Sequence, residues 1–357
     1  MVDRLLPADH PLVKPPKVGV LLVNLGSPDA PKRDSVKVYL KEFLSDRRVV
    51  ELPPILWQFI LRAFVLNLRP SKTAHAYRQV WTENGSPLTA ITREQAQSLD
   101  FGPNVIVDWG MRYGNPSIAD RFGAMKAAGC DRILVAPMYP QYSAATTATV
   151  FDKVAEVMGK VRWQPALRTM PPWHDDPAYI DALKQSIERQ IAALDFVPDT
   201  ILASFHSMPL STLLKGDPYH CQCQKTARLL GNALGRDLVV SFQSKLGRAK
   251  WLEPSTEDTL ERLGREGVRS LAVVTPGFAA DNLETLEEIA MRGRDTFVEA
   301  GGKDFAALEC LNASPEGTDL LRFLVGRELE GWVPREAVGN LVMPTEAMPR
   351  ILAQGRG

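Results

Sequence analysis

The chain has 357 residues, 45% of them hydrophobic, and 42 basic side chains balanced by 42 acidic ones for a formal net charge of zero. That length supports two domains or one large one, with ample core. Without a basic surplus to neutralise phosphates, a nucleic-acid partner is excluded. The four cysteines (Cys130, Cys221, Cys223, Cys310) are too few and too irregular for a disulfide framework, which favours a reducing cytoplasm. The opening residues lack the basic region and apolar run of a signal peptide.

Residues 1–16 read as a Pro-rich arm. Lys17 to Asn24 is an apolar run suited to a buried strand, followed by a Leu-Gly-Ser-Pro turn. Helices are expected at 35–45, 55–68, 71–81 and 90–99. The stretch 55–68 is the most apolar, but it is too short to span a bilayer and is interrupted by Gln58, Arg62 and Asn67. A strand at 104–109, a helix at 116–128, a strand at 132–137, a helix at 144–158 and a strand at 161–169 close this half. The second half repeats the alternation: helix 177–193, strand 200–205, helix 222–235, strand 237–242, helix 256–265, strand 269–274, helix 284–299, a short strand at 305–310 and helix 316–329. Strands alternating with helices call for parallel sheets and doubly wound domains.

The halves also resemble each other. Leu22–Pro28 aligns with Ala203–Pro209, which sets Leu25 opposite His206. Val107–Gly114 aligns with Val240–Gly247, and Leu134–Tyr139 with Val273–Phe278. Three matches in one order predict two similar α/β domains, each with a parallel four-stranded sheet, facing each other across a cleft. No G-x-G-x-x-G, Walker-type loop, H-E-x-x-H, G-x-S-x-G or paired C-x-x-C occurs, which argues against common nucleotide, zinc-protease and hydrolase chemistry.

Three stretches carry the chemistry. His206 ends a core strand, where open α/β sheets place their ligands. Phe278 to Glu288 joins a strand end to a helix: Asp281 or Asn282 is suited to cap it, and Glu284 and Glu288 share one helical face. That face suits a proton or cation path as well as simple complementarity to the helix dipole. The loop 245–254 sets Lys245, Arg248 and Lys250 around Trp251, and Arg112 and Tyr113 occupy the matching loop of the first half. Cations beside aromatics suit a flat aromatic ligand with carboxylate arms. His220, Cys221 and Cys223 are too closely spaced for an ordinary zinc site and read as a turn and helix start.

Taken together, these residues resemble the ferrochelatases, which insert ferrous iron into a porphyrin. The resemblance runs from about Gly19 to Ser314 and is carried, in order, by Leu-Val-Asn-Leu-Gly-Ser-Pro (22–28), Tyr77 with Asn-Gly-Ser-Pro (84–87), Gly-Met-Arg-Tyr-Gly (110–114) and Tyr-Pro-Gln-Tyr-Ser (139–143). Ser-Phe-His-Ser-Met-Pro (204–209), Lys-Gly-Asp-Pro-Tyr (215–219), Phe-Gln-Ser-Lys-Leu-Gly (242–247), Trp-Leu-Glu-Pro-Ser-Thr (251–256) and Asp-Asn-Leu-Glu-Thr-Leu-Glu-Glu (281–288) complete it.

The resemblance implies two Rossmann-like domains, residues 1–170 and 171–313, with residues 314–357 as a helix and tail packing back on the first. It implies that His206 and Glu284 are the catalytic pair that meets the metal. Leu25, Arg112, Tyr113 and Trp251 would line the porphyrin pocket, and Asp281 and Glu288 would extend a proton or metal path. Stretch 55–68 would be a hydrophobic lip touching a bilayer, making the protein cytoplasmic and peripheral on the inner membrane. Substrates would be protoporphyrin IX and Fe²⁺, with no resident cofactor. Two departures stand out: Asn282 replaces a second histidine of some members, and Arg292 interrupts the acidic row. Since no cysteine follows Cys310, the iron–sulfur cluster of some relatives has no ligands. A tetrapyrrole or haem carrier, or a chelatase for coproporphyrin or a corrinoid precursor, would use the same cleft. No oligomeric state follows from the sequence.

Overall fold

Lys17–Asn24 (β1) is buried at every position after Lys17. Burial on both faces is what the centre of a parallel sheet requires. Strand β1 accordingly pairs in parallel with Val105–Met111 (β2) on one side and Cys130–Pro137 (β3) on the other, and Ala166–Thr169 (β4) pairs with β3. The second half builds the same sheet. Thr200–His206 (β5) lies between Val239–Gln243 (β6) and Ser270–Val274 (β7), with Asp304–Ala307 (β8) beyond β7. The strand orders, β2-β1-β3-β4 and β6-β5-β7-β8, are the same. The repeat seen in the residues is therefore a repeat of topology, with Leu25 just past β1 and His206 closing β5. The computed structural model describes residue 9, residues 14–245 and residues 249–338; the Pro-rich arm for the most part, Arg248 and the tail after 338 lie outside them.

The helices are Arg33–Ser45 (α1), Pro54–Ile60 (α2), Leu66–Val80 (α3), Pro87–Gln97 (α4), Ile118–Ala127 (α5), Thr149–Met158 (α6), Pro177–Ala192 (α7), Leu210–Leu214 (α8), Tyr219–Leu234 (α9), Thr256–Arg265 (α10), Arg294–Glu299 (α11), Pro315–Leu329 (α12) and Arg335–Val338 (α13). Among the described residues three π-helical segments run into α3, α6 and α11: Leu61–Val65, Ala144–Ala148 and Glu284–Gly293.

Period-two alternation sorts the strand residues between layers. Val20 and Leu22 of β1, Leu134 and Ala136 of β3, and Ile201, Ala203 and Phe205 of β5 share one core with Leu320, Leu321 and Leu324 of α12. Their alternates Leu21, Val23, Ile133 and Val135 face Ile118, Phe122 and Val150 instead. In the second sheet Leu202, Leu271 and Val273 turn to Leu260, Leu263 and Phe297. One face of each sheet thus feeds a common core, with α12 packed on α7 and β3. Arg168 adds a hydrogen bond of 2.9 Å to Glu330 O, and Arg132 one of 3.1 Å to Trp332 O.

Several boundaries differ from expectation. The helices expected at 55–68 and 71–81 are one continuous run in which Pro70 lies inside α3. The π-turn just before α3 marks a local change in hydrogen-bond register, of the kind that accompanies tolerated helix irregularities. Helix α4 starts at Pro87 rather than 90, because proline suits a first turn whose N–H groups need no helical partner. Helix α9 starts at Tyr219, and β4 keeps only the last four residues of the expected strand. The short helix α8 was not expected. Among the described residues no helix is long and apolar enough to cross a membrane.

Candidate active site

His206 is half-buried at the carboxyl end of β5. Its Nδ1 lies 2.6 Å from Ser207 O, and a carbonyl can only accept. Nδ1 must therefore carry a proton, and in the neutral ring Nε2 is the acceptor. The next residues are fixed firmly: Ser207 N donates to Gln243 O at 2.7 Å and Ser207 Oγ to Leu252 O at 3.2 Å. Pro209 bridges to Trp251, and Leu252 N donates to Met208 O at 2.9 Å. This pairing holds the half-buried Trp251 beside the histidine loop.

Glu284 opens the π-helical segment. Asn282 is the cap: its Oδ1 accepts from Glu284 N at 2.9 Å and Thr285 N at 3.1 Å. Burial pushes the Glu284 carboxyl up from its ordinary range; His206 facing it pulls it back down, and Glu288 and Glu287 push it up again. The histidine and the carboxylate are thus electrostatic partners. On its other side Glu284 faces Tyr77 and Tyr39. Burial first raises both phenols, and the negative charge of Glu284 adds to the rise. Leu283 meanwhile packs into the cluster of Val36, Tyr39, Tyr77 and Tyr113, so the segment is wedged between the two halves.

The opposite wall is built on the turn after β1. Gly26 has φ +109, and a Cβ there would stand 1.8 Å from Tyr113 O, so only glycine lets these two loops meet. Leu25 is half-buried, with its N donating to Asn24 Oδ1 at 2.9 Å and its O accepting from Tyr113 N at 2.9 Å. Arg112 lies over the Tyr113 ring, 4.3 Å from its centroid. Both side chains converge on Asp46: Arg112 Nη2 donates to Asp46 Oδ2 at 2.5 Å and Tyr113 OH donates to it at 2.9 Å.

Not every expected residue faces the cleft. Tyr113 is 1% exposed and backs the wall rather than lining it, because its hydroxyl is satisfied by Asp46. Asp281 is turned away into a buried net: Oδ1 accepts from Thr285 Oγ1 at 2.8 Å and Oδ2 from Asn312 Nδ2 at 2.6 Å. A carboxylate so occupied anchors a turn and is a poor member of a path. Glu288 sits one turn along from Glu284, but its carboxylate ties down the loop after β6, accepting from Ser244 N at 2.8 Å. Arg292, expected to interrupt the acidic row, pairs with Glu287 through two bonds of 2.9 and 3.1 Å.

Asp46 and Ser244 escaped the sequence reading because their roles arise only from contact across loops, whereas Asn282 takes the capping role expected of it. Arg69 escaped it too. Burial pushes its guanidinium down, and no ion pair or hydrogen bond offsets that among the described residues. A cation next to a proline in an apolar helix was the available signal.

The model of the family described as Ferrochelatase matches residues 17–329. The chain is 56% identical over 334 residues to the ferrochelatase of Rhizobium meliloti (strain 1021), covering 91% of this chain and 98% of that one. It is 52% identical over 337 residues to the ferrochelatase of Allorhizobium ampelinum, covering 92% and 98%. SirB from Bacillus subtilis, solved with Fe³⁺, superposes with a TM-score of 0.53 at 13% identity over 91% of this chain and 96% of SirB, and that likeness speaks for the two-domain fold alone. On the family match and these relatives, the chain belongs to the ferrochelatase family.

Proposed function

We propose that the protein inserts ferrous iron into protoporphyrin IX to give protohaem, releasing two protons. The observation that carries this reading is His206, with Nδ1 held by Ser207 O and Nε2 turned to accept, beside the half-buried Glu284, whose carboxyl pKa burial raises and His206 lowers. Iron insertion breaks two pyrrole N–H bonds and forms bonds from nitrogen to iron. His206 Nε2 takes a pyrrole proton, a task suited to an imidazole near neutral pH. Glu284 receives that proton or offers a hard oxygen to Fe²⁺ as it sheds water. Glu288 and the solvated end of the π-helical segment lie next along the same face. A ring gripped between the Leu25 wall and Trp251 gains the binding energy that puckers it toward the metal. Arg69, a cation without a counter-charge among the described residues, suits a porphyrin carboxylate.

The fold supports a division at about 170 and 313, with α12 bridging back to β3. Iron is a substrate here. We expect no resident cofactor or iron–sulfur cluster, as no cysteine follows Cys310. The second reading, cytoplasmic protein docked on the inner membrane, rests on one observation: Ile55, Phe59 and Leu68 are 90%, 65% and 73% exposed, with Leu56 and Phe64 beside them. An apolar patch of this kind on one helix suits a lipid surface. Ile55→Asp with Phe59→Asp would abolish flotation with anionic vesicles; unchanged flotation would remove the lip from membrane contact.

The test of function is anaerobic incubation with protoporphyrin IX and Fe²⁺ at substoichiometric protein, followed by absorbance. Multiple turnovers are expected, and His206→Ala should bind the porphyrin without inserting metal. Stoichiometric binding without turnover by the unaltered protein would make it a carrier. Turnover with coproporphyrin but not protoporphyrin would reassign the substrate.

A further inference from the structure

Gln95 of α4 is 1% exposed, and it belongs to the first half while the two carbonyls it serves belong to the second. Its Nε2 donates to Ala279 O at 2.9 Å and to Asn312 O at 3.0 Å. Asn312 adopts φ +51, a left-handed conformation that asparagine tolerates better than most residues. That backbone aims its side chain at Asp281. Asp281 N donates to Asn312 Oδ1 at 2.8 Å, and Asn312 Nδ2 donates to Asp281 Oδ2 at 2.6 Å. Asp281 Oδ1 accepts from Thr285 Oγ1 at 2.8 Å, and the same hydroxyl accepts from Asn282 N at 3.1 Å. A continuous buried chain thus runs from α4 of one half to the residue after Glu284 in the other.

Such a net is costly to leave incomplete and rigid when complete. It ends on the first turn of the π-helical segment, where a displacement of about 1 Å in a reacting group can cost on the order of 10²-fold in rate. We infer that Gln95 and Asn312 are positioning residues for metal insertion: through Asp281 and Thr285 they hold Glu284 between His206 on one side and Tyr39 and Tyr77 on the other. This rests on the role given to Glu284 above. Neither residue touches the reacting atoms. The net explains why Asp281, a carboxylate beside the site, faces away from it.

Two variants separate positioning from bulk stability. Asn312→Gly keeps the backbone, since glycine takes φ +51 without strain, and loses both side-chain bonds to Asp281. Gln95→Met keeps the length and loses only the two Nε2 bonds, as Gln95 Oε1 has no partner among the described residues. Backbone hydrogen exchange is read over 280–290, with kcat and the porphyrin KM measured beside it. Both variants should exchange faster in that segment alone, lose at least tenfold in kcat and keep the porphyrin KM within threefold. Wild-type exchange over 280–290, faster exchange with wild-type kcat, or kcat and KM failing together would each overturn the inference. If Asn312→Gly does not fold, Gln95→Met decides. A wild-type protein that inserts no iron would defeat the reading of function, and the exchange measurement would then judge the positioning net alone.

Discussion

Glu284→Gln separates stability from activity at one atom. The substitution keeps shape and removes charge from a half-buried carboxyl whose ionised form is opposed most by burial and further by Glu288 and Glu287, with His206 and a backbone hydrogen bond in its favour. The sign follows from linkage. A carboxyl raised above its unfolded value holds its proton in the folded state where the unfolded chain has already released it. Stability is therefore lost as pH rises from the ordinary carboxylate range through the folded value, and the penalty is complete above it. Glutamine has no such penalty. At pH 7 the variant should be more stable by about 0.5–2 kcal/mol, the usual gain when a strained active-site group is neutralised. With an unfolding entropy of roughly 2.1 cal/mol/K per residue, that corresponds to about 1–3 °C in Tm for a chain of this size. The difference should vanish near pH 4, where both side chains are neutral. Metal insertion should fall on the order of 10²-fold or more. Thermal melts of the ligand-free protein at both pH values, with kcat beside them, test this. A variant less stable than the parent at pH 7, or a stability gap independent of pH, would refute the electrostatic reasoning.

The other predictions concern the groups around it. His206→Asn keeps a donor where Nδ1 meets Ser207 O but has no base at the Nε2 position, so porphyrin binding should persist while kcat falls about 10²–10⁴-fold; a fall below tenfold would remove His206 as the base. Asp46→Ala strands Arg112, whose side chain is 11% exposed, and should cost about 3–5 kcal/mol in urea unfolding. Asp46→Ala with Arg112→Met should recover much of that loss, and a single-variant cost under about 1 kcal/mol would show the pair to be solvated. Arg69→Met should raise the porphyrin KM about 10- to 150-fold with kcat nearly unchanged, as expected for a lost charged contact of about 1.5–3 kcal/mol; a loss confined to kcat would place Arg69 elsewhere in the mechanism.

Much of the fold was legible along the chain. Strand β1 announced itself as an unbroken apolar run, and its match to β5 carried the two-sheet repeat with Leu25 and His206 at equivalent strand ends. The helix 284–299 was legible in extent, but its π-helical first part was not, because the shift from i→i+4 to i→i+5 hydrogen bonds carries no residue-type signature of its own. Pro70 misled the reading of the lip helix, since a proline stops a helix in isolation and its neighbours overrode that here. Among site residues, His206 and Glu284 were visible as titratable groups at element ends. Tyr113 and Asp281 were visible as well, but the directions of their side chains were not.

What the sequence determined by itself is local: which segments bury one face or two, where strands end, and which titratable residues stand at those ends. Burial and period act between near neighbours, so they are written into the order of residues. The tertiary structure decided what these groups meet. Asp46 binds Arg112 and Tyr113 across more than sixty positions of chain, and Gln95 reaches Asn312 across more than two hundred. A hydrogen bond is a matter of a few ångströms and an angle, and only the packed chain sets those between residues so far apart.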